Sequence, residues 1–315
     1  MLPCVSIIMP TFNRMEYLPS AVESVLWQSF PDWELLIADD GSDDETRAYL
    51  QSLNDPRIKL LLRPHTGRPA LTSNVALRAA RGKYVAFLDS DDVWLPRKLE
   101  AQIDSLVRHT FRKWSYTRFS MIDSSGKPSV SPRYRDRPAP SGWILEKLLR
   151  SETVIAQPSV VVCREVLEQF GGFDEELIMC YDDDLWFKLA AHSEIDSVDE
   201  PLTLVRRHSK HSGSDAQAWS DRRRVFEKML HANRDVCLDP VLRKLRAKMS
   251  AGLAKSHARY GNRSHALSTL VASLPHSWRY PAVWLSAALV ISSRFAPPSL
   301  LSYVRSRLAR HAAHT

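Results

Sequence analysis

Asp89, Asp91 and Asp92 place three carboxylates within four positions, directly after Tyr84-Val85-Ala86-Phe87-Leu88. The preceding residues are apolar, β-branched or aromatic and read as a buried strand, which puts the acids at its C-terminal tip. Ligands of open α/β sheets bind at that edge. Neighbouring carboxylates repel one another unless a cation offsets them, and hard oxygen donors suit Mg²⁺ or Mn²⁺. A cation there would hold the phosphates of a nucleotide. The competing reading is a turn leading into a helix N-cap, since Asp favours both.

Two further tips are expected beside this one. Val5–Met9 is an apolar run followed by Pro10-Thr11-Phe12-Asn13-Arg14, and Trp33–Ala38 is followed by Asp39-Asp40-Gly41-Ser42. In a parallel sheet these tips share one edge, so a single ligand can touch all three. The elements that would position them alternate regularly. Strands are expected at 5–9, 33–38, 58–62 and 83–88. Helices are expected at 15–28, 43–53 (capped by Ser42 or Asp43), 72–80 and 96–107. This alternation implies βαβ units and a mostly parallel sheet.

Further along, 113–122 reads as a strand and 123–141 as a Ser-, Pro- and Arg-rich loop. A short helix follows near 143–149, then a strand at Val160–Cys163 and a break at Gly171-Gly172-Phe173-Asp174. A helix is expected at 182–191 and an edge strand at 202–205. Segments 221–235, 241–259 and 264–273 read as basic helices. Trp186 reads as core, whereas Trp94 and Trp143 suit either core or a sugar face.

The 315 residues suffice for one large α/β domain and an appendage. Cys4, Cys163, Cys180 and Cys237 are scattered, which argues against a zinc site or disulfide framework and fits a reducing cytoplasm. Val5–Met9 is too short for a signal peptide. The net charge of +7 is uneven: residues 202–315 hold 20 Lys+Arg against 5 Asp+Glu, and no acid follows Asp239. Residues 240–315 hold 12 Lys+Arg interleaved with Trp278, Trp284 and short apolar runs. The run from Ala282 to Ile291 falls well short of the ~20 residues that span a bilayer. Such a tail suits the surface of an anionic membrane, or alternatively a helical cap with a solvated basic face. No nucleic-acid motif accompanies it, so nucleic acid is not expected as a partner.

Pro10-Thr11-Phe12-Asn13-Arg14, Asp39-Asp40-Gly41-Ser42 and Leu88-Asp89-Ser90-Asp91-Asp92, in this order and spacing, resemble the family 2 glycosyltransferases with the GT-A fold. The resemblance runs from about Val5 to about Ser212. It implies a Rossmann-like, mostly parallel sheet flanked by helices in a catalytic domain at 1–215, with a basic helical extension at 216–315. It also implies a nucleotide-sugar site built from Pro10, Thr11, Phe12, Arg14, Asp39, Asp40, Asn74, Asp89, Ser90, Asp91 and Arg206. Thr11 and Phe12 match positions lining the base, and Asp40 or Asp39 matches the acid that bonds it. A carboxylate accepting from an imide N–H favours uracil or thymine. Asp89 and Asp91 match the Asp-X-Asp element, which puts the metal ligands among Asp89, Asp91, Asp92 and, later in the chain, His208. Arg206-Arg207-His208 resembles the Arg-X-His element.

Two departures accompany the match. The Arg that often precedes Asn74 is Ser73 here, and the Glu of the family's Glu-Asp pair is Tyr181, leaving Asp182 as the expected catalytic base. His65 and His211 read as ordinary surface residues. The activity implied is inverting transfer from a nucleoside diphosphate sugar, UDP or dTDP favoured, to a glycan or lipid-linked acceptor in bacterial surface polysaccharide synthesis. A divalent metal, Mn²⁺ or Mg²⁺, is the implied cofactor. The expected location is cytoplasmic, peripheral on the inner face of the cell membrane. A nucleotide-sugar-binding protein without catalysis is the alternative. A nucleotidyltransferase fits less well, because Pro10–Arg14 contains no glycine.

Overall fold

The computed structural model describes residues 2–129, 139–208, 215–232 and 249–254, with 256, 257, 266, 268 and 269. The chain divides into two compact units, Met1–Ser212 and Gly213–Thr315.

The first unit opens with the expected alternation: β1 (Val5–Thr11), α1 (Leu18–Leu26), β2 (Trp33–Asp39), α2 (Thr46–Ser52), β3 (Ile58–Leu62), α3 (Pro69–Ala79) and β4 (Tyr84–Phe87). It continues through β5 (Val93–Trp94), α4 (Lys98–Arg108), β6 (Trp114–Ile122), β7 (Pro128–Ser129), α5 (Leu145–Leu149), β8 (Val160–Cys163), α6 (Arg164–Phe170), α7 (Tyr181–His192) and β9 (Ile195–Arg206). One sheet runs β3-β2-β1-β4-β8-β6-β9-β5, with β7 paired to β6. The first four strands are mutually parallel, and β8 is antiparallel to both β4 and β6.

The parallel strands read as apolar runs because both faces are covered. Ile8, Leu36, Val85 and Phe87 point into one core with Trp114 and Trp186. Ile7, Met9, Leu35 and Ile37 point into the other with Leu18, Val22 and Leu99. In the first core Trp186 stacks on Trp114 at 6.0 Å, and Phe87 meets Phe173 and Trp186 edge-on. Trp94 is also core, its Nε1 donating to the Pro158 carbonyl. Trp143 is 62% exposed and adjoins Gly142, which bridges to Ile195 at the start of β9. That is the end of the strand remote from the acidic tips.

Two helices start later than their sequence suggests. Leu18 N–H bonds the Arg14 carbonyl, and α1 begins only there, because residues 12–16 shape the β1 tip. α2 begins at Thr46 rather than Asp43. The Ser42 hydroxyl is bonded to Asp39 and to the Asn13 amide, and Asp43 pairs with the Asn13 side chain, so neither caps the helix. The strand expected at the edge is the last part of β9, a twelve-residue interior strand between β6 and β5. α6 lies in a stretch that carried no sequence expectation. It ends at Gly171, whose φ of 73° is the left-handed C-cap glycine adopts without strain.

In the second unit, α8 (Asp215–Ala232) buries Val225, Phe226 and Met229. Residues 249–254 are helical, and a Cβ on Gly252 would lie 2.6 Å from the Trp219 ring, so the two segments approach closely. Most of 241–259 and of 264–273, and all of 275–310, lie outside the described residues. Among the described residues no helix is long and apolar enough to cross a membrane.

At the N-terminal edge of the parallel strands, Glu34 gathers four segments. Its carboxylate accepts from Ser6 Oγ (2.7 Å), Lys59 Nζ (2.6 Å), and the Arg81 amide (3.0 Å) and guanidinium (2.9 Å). Burial alone would raise its pKa, but the Lys59, Ser6 and Arg81 bonds outweigh that and hold it at about 2. The folded value lies below the unfolded one. The stabilisation is therefore complete above about pH 4.5 and is lost as pH falls toward 2. Glu34→Gln is expected to cost ~2–3 kcal/mol in urea unfolding at neutral pH and to flatten the acid limb of the stability profile.

Lys98 is fully buried on α4, with Nζ 4.0 Å from the Trp94 ring centre and no hydrogen-bond partner. Burial pushes its pKa well below 10.5, so between the folded and the unfolded value the unfolded chain binds more protons than the folded one. Stability then rises with pH toward that value. Lys98→Met is expected to add ~1–3 kcal/mol at neutral pH and to abolish the rise between neutral and alkaline urea titrations.

Candidate active site

The C-terminal edge of the parallel strands opens into a cleft of about 390 Å³. Register brings its walls together: Thr11 pairs with Asp39 across β1 and β2, and Ile8 with Phe87 across β1 and β4. The β1 and β2 tips are tied by reciprocal bonds. Asn13 N–H donates to Ser42 Oγ at 2.9 Å, and the Asn13 and Asp43 groups bond in both directions. Asn13 takes a left-handed φ of 48° to do so, a conformation Asn tolerates better than most residues.

Ten of the expected residues line the cleft: Pro10, Thr11, Phe12, Arg14, Asp40, Asp89, Ser90, Asp91, Asp92 and Arg206. Thr11 Oγ1 is buried without a hydrogen-bond partner. Asp91 Oδ2 lies 2.9 Å from His208 Nε2 and 3.5 Å from Arg14 Nε. Asp92 Oδ1 accepts the Arg206 amide at 2.7 Å. The Arg206 guanidinium donates to the carbonyls of Asp91, Asp123 and Ser124 and lies 4.9 Å from the Tyr17 ring, on which His208 also stacks.

Burial, then the charges of Asp91 and Asp182, raises the Asp89 carboxyl well above the usual carboxylate range. Burial and the neighbouring Asp91 and Asp89 do the same to Asp92. Asp91 goes the other way: burial works against its charge, but His208 and Arg14 overcome it. The tip therefore carries uncompensated acid next to one well-paired carboxylate.

Two expected residues are placed elsewhere. Asp39 is buried and bonded to the Ser42 amide and hydroxyl, which shapes the turn after β2. Asn74 is buried on α3 and pins the segment that follows α6. Its amide donates to the Phe173 carbonyl (2.8 Å) and to Glu175 (3.0 Å), and its oxygen accepts the Phe173 amide (3.0 Å). Ser73 beside it is fully buried, its hydroxyl without a hydrogen-bond partner. Asp182, at the start of α7, lies close enough to act electrostatically on Asp89 and Tyr181.

The structure adds residues that were not among the expected site residues. His65, from the segment after β3, stacks on Phe12 with ring centres 4.0 Å apart. Gln157 precedes β8, and because β8 is antiparallel to β4 it reaches the acidic edge and donates to Asp89 Oδ1 at 3.2 Å. Tyr181 lines the cleft, and burial and the charges of Asp89, Asp182 and Asp91 raise its hydroxyl pKa. The sequence signal for His65 was its position one turn beyond a parallel strand tip.

Among the described residues, no group of three or more carboxylate, imidazole or thiol ligands already converges as a metal centre. The donor chemistry nevertheless fits a divalent cation. Asp89 and Asp91 offer hard oxygens, His208 an imidazole, and the excess negative charge is what a cation offsets.

A parallel-edged sheet with acidic tips over one cleft is the GT-A fold. S. aureus TarS, in a crystal structure with UDP, superposes with a TM-score of 0.64 at 20% identity, covering 97% of this chain and 87% of that one. The mannosyltransferase PcManGT from Pyrobaculum calidifontis, in complex with GDP-Man and Mn²⁺, gives 0.58 at 20% identity over 99% and 87%. Residues 6–154 match the family model "Glycosyl transferase family 2". The E. coli UDP-Glc:alpha-D-GlcNAc-diphosphoundecaprenol beta-1,3-glucosyltransferase WfgD is 36% identical over 53% of this chain and 63% of its own length. An uncharacterized glycosyltransferase of Rickettsia prowazekii, RP339, is 31% identical over 66% and 65%. The chain thus spans under two-thirds of the curated relatives it matches. Over residues 6–154 it carries a family 2 glycosyltransferase domain.

Asn74→Ala leaves the buried Phe173 amide and carbonyl unpaired. It is expected to cost ~1–3 kcal/mol in thermal or urea unfolding. Nucleotide affinity, measured by calorimetry, should stay within about twofold, as suits a residue outside the cleft.

Proposed function

We propose that the chain catalyses inverting transfer of a sugar from a nucleoside diphosphate sugar to a glycan or lipid-linked acceptor in bacterial surface polysaccharide synthesis. The observation that carries this reading is the single cleft in which a β1 tip, an acidic β4 tip and the start of α7 meet. UDP- and dTDP-sugars are the favoured donors. The name of the E. coli relative specifies UDP-glucose and a diphosphoundecaprenol-linked acceptor, which supports this donor and acceptor class.

In this reading Thr11 and Phe12 hold the base and ribose side, while Arg14 and Arg206 face the diphosphate. Asp182 accepts the proton of the acceptor hydroxyl as that oxygen forms a bond to the anomeric carbon. The bond from that carbon to the β-phosphate oxygen breaks on the opposite face, and its electron pair leaves with the nucleoside diphosphate. A positioned base contributes ~10²–10⁴-fold. Asp89 and Asp91, with Asp92 and His208 beside them, would hold the Mn²⁺ or Mg²⁺, which supplies charge neutralisation for the leaving diphosphate. The basic residues beyond Asp239 would bring the enzyme to an anionic membrane face on the cytoplasmic side.

Two measurements test this. UDP or dTDP with Mn²⁺ at ~100 times the dissociation constant should stabilise the protein by ~2.7 kcal/mol in a thermal-shift assay, with GDP and CMP inert. No shift with any nucleotide sinks the donor site. Asp182→Asn should lower sugar transfer at least about 10²-fold while UDP binding persists. A protein that only binds the nucleotide has no turnover to lose.

A further inference from the structure

We propose that the Tyr181 hydroxyl donates a hydrogen bond to an oxygen of the transferring sugar, so that this phenol helps to select which nucleotide sugar is used. The proposal rests on the donor-site reading above and deepens it.

Tyr181 lines the cleft at the start of α7. Its ring packs edge-on against Phe173, with centres 5.3 Å apart and planes at 87°. Phe173 is in turn pinned through its amide and carbonyl by Asn74. The backbone enters α7 through Cys180 at a left-handed φ of 58°, and the Asp184 amide bonds the Cys180 carbonyl at 3.1 Å. A side chain supported in this way has little freedom left to lose when it meets a ligand.

The polarity of the hydroxyl follows from its neighbours. Gln157 donates to the phenol oxygen, a bond that favours the ionised form against burial, and its Nε2 also donates to Asp89 Oδ1 at 3.2 Å. The phenol therefore accepts from Gln157 and keeps its own hydrogen for another partner. Among the described residues no hydrogen bond uses that hydrogen, although the charges of Asp89, Asp91 and Asp182 all act on the group.

Those three acids also mark where the sugar must pass. In the reading above, Asp89 and Asp91 hold the cation on the leaving diphosphate, and Asp182 takes the proton of the attacking hydroxyl. The anomeric carbon is handed from one to the other, so the sugar lies between them and beside the phenol. A neutral donor at that point suits a lone pair on a sugar hydroxyl or on an acetamido oxygen. An ionised Glu, the residue of the family pattern at this position, could only accept. Tyr181 thus inverts the polarity of the contact.

Calorimetry on the full chain with Mn²⁺ tests the assignment. The probes are UDP-glucose, UDP-galactose, UDP-N-acetylglucosamine and dTDP-glucose, with UDP and dTDP as references. Tyr181→Phe keeps the ring and removes only the hydroxyl. It should leave UDP and dTDP within about twofold, which also shows that the variant is folded. It should weaken at least one nucleotide sugar about three- to tenfold, the worth of one neutral hydrogen bond. Loss with UDP-glucose as well as UDP-N-acetylglucosamine supports a hydroxyl as the partner, and loss with the latter alone supports the acetamido oxygen. Unchanged affinity for every nucleotide sugar overturns the proposal and leaves the donor site standing. Equal loss of the sugars and of UDP or dTDP overturns it too, because the hydroxyl then serves the whole edge. Failure of the wild type to bind any of these ligands removes the donor-site reading, and this proposal with it.

Discussion

Asp89, Asp91 and Asp92 leave the tip of β4 within a single turn of chain, where little water remains to screen them. At such a site each carboxylate raises the cost of ionising the next. The surrounding architecture consists largely of groups that answer this repulsion. Arg206 reaches the tip from the end of β9 and bonds the Asp92 carboxylate and the Asp91 carbonyl. His208, two residues further, and Arg14, from the β1 tip, flank Asp91. Arg206 and His208 arrive only because β9 lies inside the sheet, parallel to β6, so that its C-terminal end falls at the same edge as that of β4. Tyr17 then carries both the guanidinium and the imidazole on its ring.

The two ends of the parallel strands are built on opposite principles. At the N-terminal edge one buried carboxylate, Glu34, meets more donors than it needs, and its charge is strongly favoured. At the C-terminal edge several carboxylates meet too few. Backbone strain follows the same division. Asn13 and Cys180, two of the described non-glycine residues with positive φ, flank the cleft on the β1 tip and at the start of α7. Such conformations cost ~1 kcal/mol or more each and persist where the surrounding structure over-determines them. A well-paired edge holding the sheet together leaves the other free to carry unmet charge, open hydroxyls and strained turns.

The legible parts of the fold were those where one physical cause dominates. β1, β2 and β4 are buried on both faces and the edge strand β3 is half-buried, so apolar runs mark them almost to the residue, and parallel pairing then puts their tips on one edge. α1 and α2 were legible as helices but not in their starts. Residues 12–16 and Ser42–Asp43 have good helix-entry character, yet they are engaged across the β1–β2 gap. The first half of β9 was hidden because Asp196, Ser197, Asp199 and Glu200 break any strand pattern. Asp196 is buried there only because Ser105, His109, Arg112 and Ser141 converge on it from distant parts of the chain. The site divides similarly. The acidic tips were readable from sequence, whereas His65 and Gln157 depend on which loops a twisted sheet brings alongside. Asp39 and Asn74 have the chemistry of ligand-binding residues, and their contacts with Ser42 and with Phe173 and Glu175 could not be read from the sequence.

Tyr181 shows how a departure from a motif follows from the electrostatics of the edge. The position adjoins Asp182 and is close enough to Asp89 and Asp91 for all three charges to act on its hydroxyl. A carboxylate there would add another negative charge to a tip where repulsion already lifts Asp89 and Asp92. A phenol adds none, and burial together with those acids keeps it protonated. Its ring packs edge-on against Phe173 at 5.3 Å, while Gln157 bonds its oxygen and Asp89. The residue thus links the segment pinned by Asn74 to the acidic tip through an uncharged contact. Asp182 is left as the carboxylate next to Tyr181 in the first turn of α7.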